Sequence, residues 1–278
     1  MFTYLNPAVR QQLVGAGKLI RINGRGALLA VEAPPPEGEL AINVLGPIPL
    51  PVRIEATEIK TQWYATVRST ELAKVEALAR DLNQQGGQHL FATLATSLAV
   101  NSVLLVGDPS RLRNPLVRVH SSCMTGDVFG SQRCECGPQF MSALQRINAD
   151  EAGGLLVYMS GHEGRGIGLW AKAATYLLQD SGENTYEANR TLGLPDDSRD
   201  FSDAAALLHY FIGNAPFRLL TNNPKKVRDL NDFGLTHITR VRHVTGVNAW
   251  NQRYLAAKRD WGHALSEQDL ENVDPKRP

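Results

Sequence analysis

The sequence is poor in cysteine, with three residues in 278. An odd number excludes a closed disulfide framework, and Cys134 and Cys136 stand too close together to bridge one another easily. No uninterrupted apolar run is long enough to span a bilayer. No apolar h-region follows Met1, so no secretory signal is visible. These absences predict a cytoplasmic chain with no membrane partner. Neither sign of charge dominates, and a formal net charge of +1 argues against broad coating of nucleic acid. Internal repeats are missing too. The one biased tract is "APPPEGE" at 33–39, which reads as a short stiff connector or turn.

What is present is concentrated. All the cysteines, Cys123, Cys134 and Cys136, fall inside "VRVHSSCMTGDVFGSQRCECGPQF", residues 117–140. In a reducing compartment such clusters are metal ligands or catalysts more often than bridges. A lone cysteine commonly packs as a small hydrophobe. Here the neighbours Ser122, Arg133, Glu135 and Gly137 are unlike those of a core strand. Three thiolates suit zinc. Two arrangements remain open: a closed Cys3His structural site completed by His120, or three protein ligands with a free position for water. In the second, bound zinc lowers the pKa of that water towards ~7, which is catalytic. The spacing alone does not choose.

Length allows one large or two modest domains. Residues 1–85 read as an α+β N-terminal extension. "KLIRINGRGALLAVEA" forms two short strands around "NGRG", and "IKTQWYATVRS" is β-rich. "STELAKVEALARDLNQQGG" is an amphipathic helix, capped by Ser69 or Thr70 and stopped by Gly86. Nothing catalytic stands out there, and a structural or oligomer-forming role is expected. Residues 86–278 read as an α/β catalytic domain. The strand "NSVLLVGD" feeds a loop into the cysteine segment, and Pro138 opens a helix with Phe140, Leu144 and Ile147 on one face. "GGLLVYM" and "FRLLT" are strands, each followed by a loop and a helix, one from about Ile167 to Asp180, the other opened by Pro224 and ended by Gly234. Strands alternating with helices predict a layered, largely parallel sheet with flanking helices.

Two strand-to-helix loops invite an anion. "GHEGRGIGL" offers Gly164, Gly166 and Gly168 for close backbone approach, with Glu163 and Arg165 as charged partners for a heterocycle or phosphate. "TNNPKK" places Lys225 and Lys226 in a first helical turn, where the helix dipole favours anions. A bound phosphate resolves that conflict. "LPDDSRDF" gathers Asp196, Asp197, Arg199 and Asp200 and, by its chemistry alone, is a solvated turn. The sum is an α/β enzyme with a three-thiolate metal site and two anion-receptive helix starts, which points to hydrolysis on a nucleotide.

Taken in order, "HSSCMTGDVFGSQRCECG", "HEGRGIGL", "QDSGENTYEAN", "DDSRDF" and "LLTNNPKK", with the tail "YLAAKRDWGHAL", resemble GTP cyclohydrolase II over residues 100–265. The resemblance implies loss of pyrophosphate from GTP and hydrolytic opening of its imidazole ring. Formate leaves, and the product is 2,5-diamino-6-(5-phosphoribosylamino)pyrimidin-4-one, an intermediate of riboflavin synthesis. It implies one Zn²⁺ per chain on Cys123, Cys134 and Cys136, selecting the open site, with Mg²⁺ at the nucleotide phosphates. Asp197 would be the proton acceptor. Arg199 would attack the α-phosphorus or stabilise its charge, and Tyr176 would complete ring opening. Substrate contacts would be Arg118, Val119, His120, Ser121, Gln139, Glu163, Gly164, Arg165, Thr185, Thr221 and Lys226. A homodimer is also implied. Residues 1–85 lie outside the match and lack the acidic signature of the dihydroxybutanone-phosphate synthase fused to some relatives. The family carries Glu immediately before its first zinc cysteine; this chain has Ser122. That departure supports an alternative: a paralogue acting on another nucleotide, or in pyrimidine catabolism. A further alternative is a non-catalytic, zinc-stapled protein.

Overall fold

The computed structural model describes residues 6–34, 37–85 and 98–271. Part of the proline tract and the Gly86 helix stop lie outside the described residues. Among the described residues, nine strands form a single sheet: β1 (Leu19–Asn23), β2 (Leu28–Leu29), β3 (Ala41–Ile54), β4 (Thr57–Arg68), β5 (Asn101–Val106), β6 (Leu116–Ser121), β7 (Gly154–Met159), β8 (Phe217–Leu220) and β9 (Ile238–Val241). Their order is β2-β1-β3-β4-β5-β7-β6-β8-β9. Pairing is antiparallel from β2 through to β7 and parallel from β7 to β9. Within residues 86–278 the expected largely parallel pairing holds, with β5–β7 as the antiparallel exception, and the N-terminal strands extend it into a mixed sheet. The N-terminal strands join by hairpins, which need no helical crossover.

The helices are α1 (Pro7–Gly15), α2 (Ser69–Gln85), α3 (Cys136–Ala149), α4 (Leu169–Asp180), α5 (Thr185–Thr191), α6 (Ser202–Ile212), α7 (Pro224–Asp232), α8 (Gln252–Asp260) and α9 (Glu267–Glu271). Strands covered on both faces read as continuous apolar runs, and β5 and β7 carry them at Val103–Val106 and Leu155–Val157. Val103, Leu105, Leu155 and Val157 pack with Ala204–Leu208 of α6. Leu104, Leu156 and Leu116 pack on the other face with Ala143, Leu144 and Ile147 of α3. Period-2 alternation then sorts β6. Val117 and Val119 enter the α6 side of the core, which leaves Arg118 and His120 pointing to the α3 side.

Two strands differ from the sequence expectation. The cysteine segment is not fed directly from β5, because β6 intervenes. β3 carries Pro47, Pro49 and Pro51, which argue against a strand on sequence grounds. It tolerates them because β1 pairs only with residues 41–45, so the later half has β4 on one side and no described strand on the other. Prolines at alternate positions put their missing N–H groups on that open edge.

Candidate active site and metal centre

The cleft lies beyond the carboxyl ends of the parallel strands β6, β7 and β8, where α/β sheets commonly bind ligands. Ser121–Cys123 leave β6, short 3-10 turns over Ser160–Arg165 leave β7, and Thr221–Asn223 leave β8.

Cys123, Cys134 and Cys136 place their sulfurs within 4.8 Å of one another. A wide helical turn, Met124–Val128, folds Cys123 back towards Cys134 and the first residue of α3. Its centre must be glycine. A Cβ on Gly126 would stand 2.8 Å from Cys134 Sγ and 3.2 Å from Cys123 Sγ. The turn is anchored by Asp127, whose carboxylate accepts from Cys123 N at 3.0 Å, Tyr158 Oη at 3.0 Å and His120 Nε2 at 3.1 Å. His120 therefore braces the turn from below, between Tyr158 and Phe140. Among the described residues no histidine joins the three sulfurs, so a site closed by His120 is not formed.

The donor set fits a thiophilic cation. Thiol contacts from Cys134 and Cys136, then Lys172, hold Cys123 far below its usual range. The Cys123 contact pushes Cys134 up to about 12, and its neighbours push Cys136 well up as well. Unaided, the cluster thus carries one negative charge, and a divalent cation displaces the remaining protons. Lys172 on α4 donates to Cys123 Sγ at 3.1 Å, Thr125 Oγ1 at 2.9 Å and Glu163 Oε1 at 2.6 Å. Burial opposes its charge, but the Cys123 thiolate and Glu163 outweigh it and raise its pKa. Tyr176, one turn along α4, meets Thr125 Oγ1 at 3.1 Å. Burial pushes its phenol up, so it stays protonated.

Cations dominate the rest of the wall. Arg199 forks onto Asp197, Nε to Oδ1 at 2.8 Å and Nη2 to Oδ2 at 2.6 Å. Burial opposes the guanidinium charge, yet the Asp197 bonds raise its pKa overall. Arg199 Nη1 also donates to Ser121 Oγ at 3.4 Å. His162 Nε2 lies 2.9 Å from the Asp200 carbonyl and its Nδ1 3.2 Å from Ser121 Oγ. Burial lowers His162 to about 4, so the ring is neutral near pH 7. A carbonyl only accepts, so Nε2 carries the proton and Nδ1 accepts from Ser121. Arg118 donates to Leu220 O at 2.8 Å and Gln139 Oε1 at 2.6 Å, and burial lowers it to about 10. Lys226 is buried against the Val119 carbonyl at 2.7 Å; burial, then Arg118 and Arg199, depress its pKa well below the ordinary value.

Arg165 is different. Its guanidinium lies 3.9 Å over the Tyr186 ring, which stacks on Trp261 at 4.1 Å, while both terminal nitrogens are buried without a hydrogen-bond partner. Its loop is stitched to "DDSRDF", since Ser198 N donates to Arg165 O at 3.1 Å and a Cβ on Gly166 would meet Ser198 Oγ at 3.0 Å.

Of the residues singled out from sequence, all three cysteines, Tyr176, Arg199, Arg118, His120, Ser121, Gln139, Glu163, Gly164, Arg165, Thr185, Thr221 and Lys226 line this cleft. Val119 does not; its side chain is in the core. Asp197 sits off the wall, bound to Arg199. Glu163 is already engaged by Lys172 and by Met124 N at 2.6 Å. Ser122 Oγ donates to Ser160 O at 2.8 Å, inside the same cleft. Sequence reasoning missed Lys172, His162 and the closing residues Tyr254, Lys258 and His263 from the C-terminal part. Lys258 pairs with Glu135, the residue between the last two cysteines. One signal was available: Lys172 is the lone charge in "LWAKAATYLL", one helical turn before Tyr176.

The chain is 52% identical over 168 residues to the riboflavin biosynthesis protein RibBA of Nocardia farcinica, covering 60% of this chain and 40% of that one. It is 52% identical over 155 residues to the protein of the same name from Mycobacteroides abscessus, covering 55% and 37%. The RibBA of Salinispora arenicola gives 49% over 168 residues, covering 60% and 40%. The chain thus spans about two fifths of the length of these curated relatives. The sequence profile of GTP cyclohydrolase II matches residues 89–242, more than half of the chain, and the protein belongs to that family.

Proposed function

We propose that the protein hydrolytically opens the guanine imidazole ring of GTP, releasing formate and pyrophosphate and leaving 2,5-diamino-6-(5-phosphoribosylamino)pyrimidin-4-one. One observation carries this reading. A three-thiolate cluster, the cations Arg118, Arg165 and Arg199, and the buried amine of Lys226 share one cleft, in a member of this family. Cys123, Cys134 and Cys136 would hold zinc, which when bound would supply Lewis acidity for activating water near neutral pH. The chain does the rest. Lys172 offsets the excess negative charge of three thiolates. Arg165, Arg199 and Lys226 hold phosphate oxygens, with Mg²⁺ accompanying the nucleotide. Arg199 acts as a charge stabiliser, because its bidentate bond to Asp197 keeps it protonated. Tyr176, protonated and bonded to Thr125, stands ready to move a proton as the ring opens. Asp197, ionised against Arg199, is the acceptor for a proton released at the phosphate end.

Ser122 supports a second reading, turnover of a related nucleotide or release of a stalled formamidopyrimidine. Its hydroxyl is tied to Ser160 and puts no carboxylate at the position where the family has one. The protein is further proposed to act in the cytoplasm, whose reducing conditions suit its free cysteines; among the described residues no helix is long and apolar enough to cross a membrane. A homodimer is proposed as well, consistent with exposed Val128, Phe129, Trp170 and Leu177. The deciding experiment incubates zinc-loaded protein with GTP and Mg²⁺ and identifies products by mass spectrometry. Formate, pyrophosphate and the diaminopyrimidinone are expected. Zinc-loaded protein that releases neither formate nor pyrophosphate overturns the reaction.

A further inference from the structure

Arg68 is the last residue of β4 and lies outside the stretch 89–242 that carries the family match. Its guanidinium reaches across the molecule to the segment that bears Asp197 and Arg199. Nε donates to Asp203 Oδ1 at 2.7 Å, and Nη2 donates to Asp200 Oδ2 at 2.7 Å and Ser202 Oγ at 3.1 Å. Each acceptor is tied onward to the cleft. Asp203 is buried, and its second oxygen accepts from Asn101 Nδ2 at 3.1 Å. Asn101 Oδ1 accepts from Ser160 N at 3.0 Å, the residue whose carbonyl holds Ser122. The Asp200 carbonyl accepts a hydrogen bond from His162 Nε2 and so fixes the ring that orders Ser121 beside Arg199. Remove the guanidinium, and two carboxylates, one of them buried, face each other without a cation.

We infer that Arg68 is a positioning residue for the Asp197–Arg199 pair, so that the N-terminal segment supplies part of the active site rather than only extending the sheet. The inference takes the identity of the bound anion from the proposed reaction, but the clamp itself rests on these contacts alone. Arg68 acts through Asp200 and Asp203, and a fork is needed because the two carboxylates belong to separate side chains. Lysine presents a single point charge and cannot span both in the same geometry.

The test compares wild type with Arg68→Met, Arg68→Lys and a control, Arg53→Met, at an exposed position of β3 in the same N-terminal segment. Three quantities are read on each zinc-loaded protein: affinity for inorganic triphosphate, amide hydrogen exchange over residues 197–203, and GTP turnover. Arg68→Met is expected to bind triphosphate less tightly and to turn over GTP more slowly, by up to about a hundredfold, the scale of a misplaced catalytic group. Exchange should rise at 197–203 and not at 154–159. Zinc content should be retained, Arg68→Lys should recover part of the loss, and Arg53→Met should match wild type. Arg68→Met with wild-type triphosphate affinity and unchanged exchange at 197–203 overturns the inference. If Arg68→Met does not fold, Asp200→Asn cuts one arm while leaving the Asp203 pair; the same local rise in exchange is expected, and its absence overturns the inference equally. Wild type that binds triphosphate but forms no formate overturns the proposed reaction and leaves the clamp standing.

Discussion

Two arginines of the cleft show opposite states of readiness. Arg199 has its Nε and Nη2 forked onto Asp197 and keeps Nη1 beside Ser121, whereas Arg165 keeps buried N–H groups with no acceptor. A buried polar group without a partner destabilises the unliganded fold, and the Tyr186 ring offsets only part of that through its π face. Arg165→Ala should therefore weaken pyrophosphate or nucleotide binding by about 1.5–3 kcal/mol, the worth of hydrogen bonds to a charged group. Its thermal midpoint should stay unchanged or rise. Calorimetry and thermal unfolding read the two effects separately. Lys172→Met removes the cation beside Cys123 and should lower zinc affinity by about tenfold or more, as losing an outer-shell partner typically does; competition against a chelator measures it. The cysteines were legible in sequence because their spacing is local. Lys172 was not, because it meets Cys123 across 49 positions of chain, and a lone lysine on an apolar helix reads as a solvated charge.

At the scale of elements, the wide turn Met124–Val128 is the device that turns a C-x10-C-x-C spacing into a compact sulfur cluster. Gly126→Ala drives a methyl group to 2.8 Å from Cys134 Sγ. The expected outcome is loss of stoichiometric zinc by elemental analysis, with far-UV circular dichroism retained. The helices and buried strands were readable from their periods: β7, β8, α4 and α7 fall within a few residues of their expected places. β6 was hidden because its alternation, Val117 and Val119 against Arg118 and His120, sits directly before the cysteines and was absorbed into their loop. β3 was hidden by its prolines, which only the open edge of the hairpin excuses. The mixed character of the sheet was illegible for a related reason, since strand direction depends on pairings across many residues.

For the molecule as a whole, buried histidines set the response to acid. Burial lowers His162 to about 4 and His243 to about 3 from an ordinary 6.5. Both are neutral in the folded state over a range where the unfolded chain binds a proton. Stability must then fall as pH drops below 6.5, and each histidine's loss levels off only once its folded form protonates. Each contributes a slope approaching ~1.4 kcal/mol per pH unit in that window. Asp150, Asp197 and Asp200 are held below the usual carboxylate range by Arg218, Arg199 and Arg68 respectively, against desolvation, so their contributions fade only at lower pH. Urea midpoints recorded from pH 7 to pH 5, with metal chelated, should decline steadily; a flat profile would contradict the buried neutral rings.

The continuity of the sheet also limits how the chain can be cut. β5 gives one whole edge to β4, from Asn101 against Thr66 to Val106 against Thr61. A fragment beginning at residue 89 would retain every cysteine yet bare that edge, a row of amides and carbonyls on a strand whose Val103–Val106 are all buried in the intact protein. Such an edge templates strand addition, and the fragment should form larger, open-ended assemblies in light scattering where the full chain stops at a dimer.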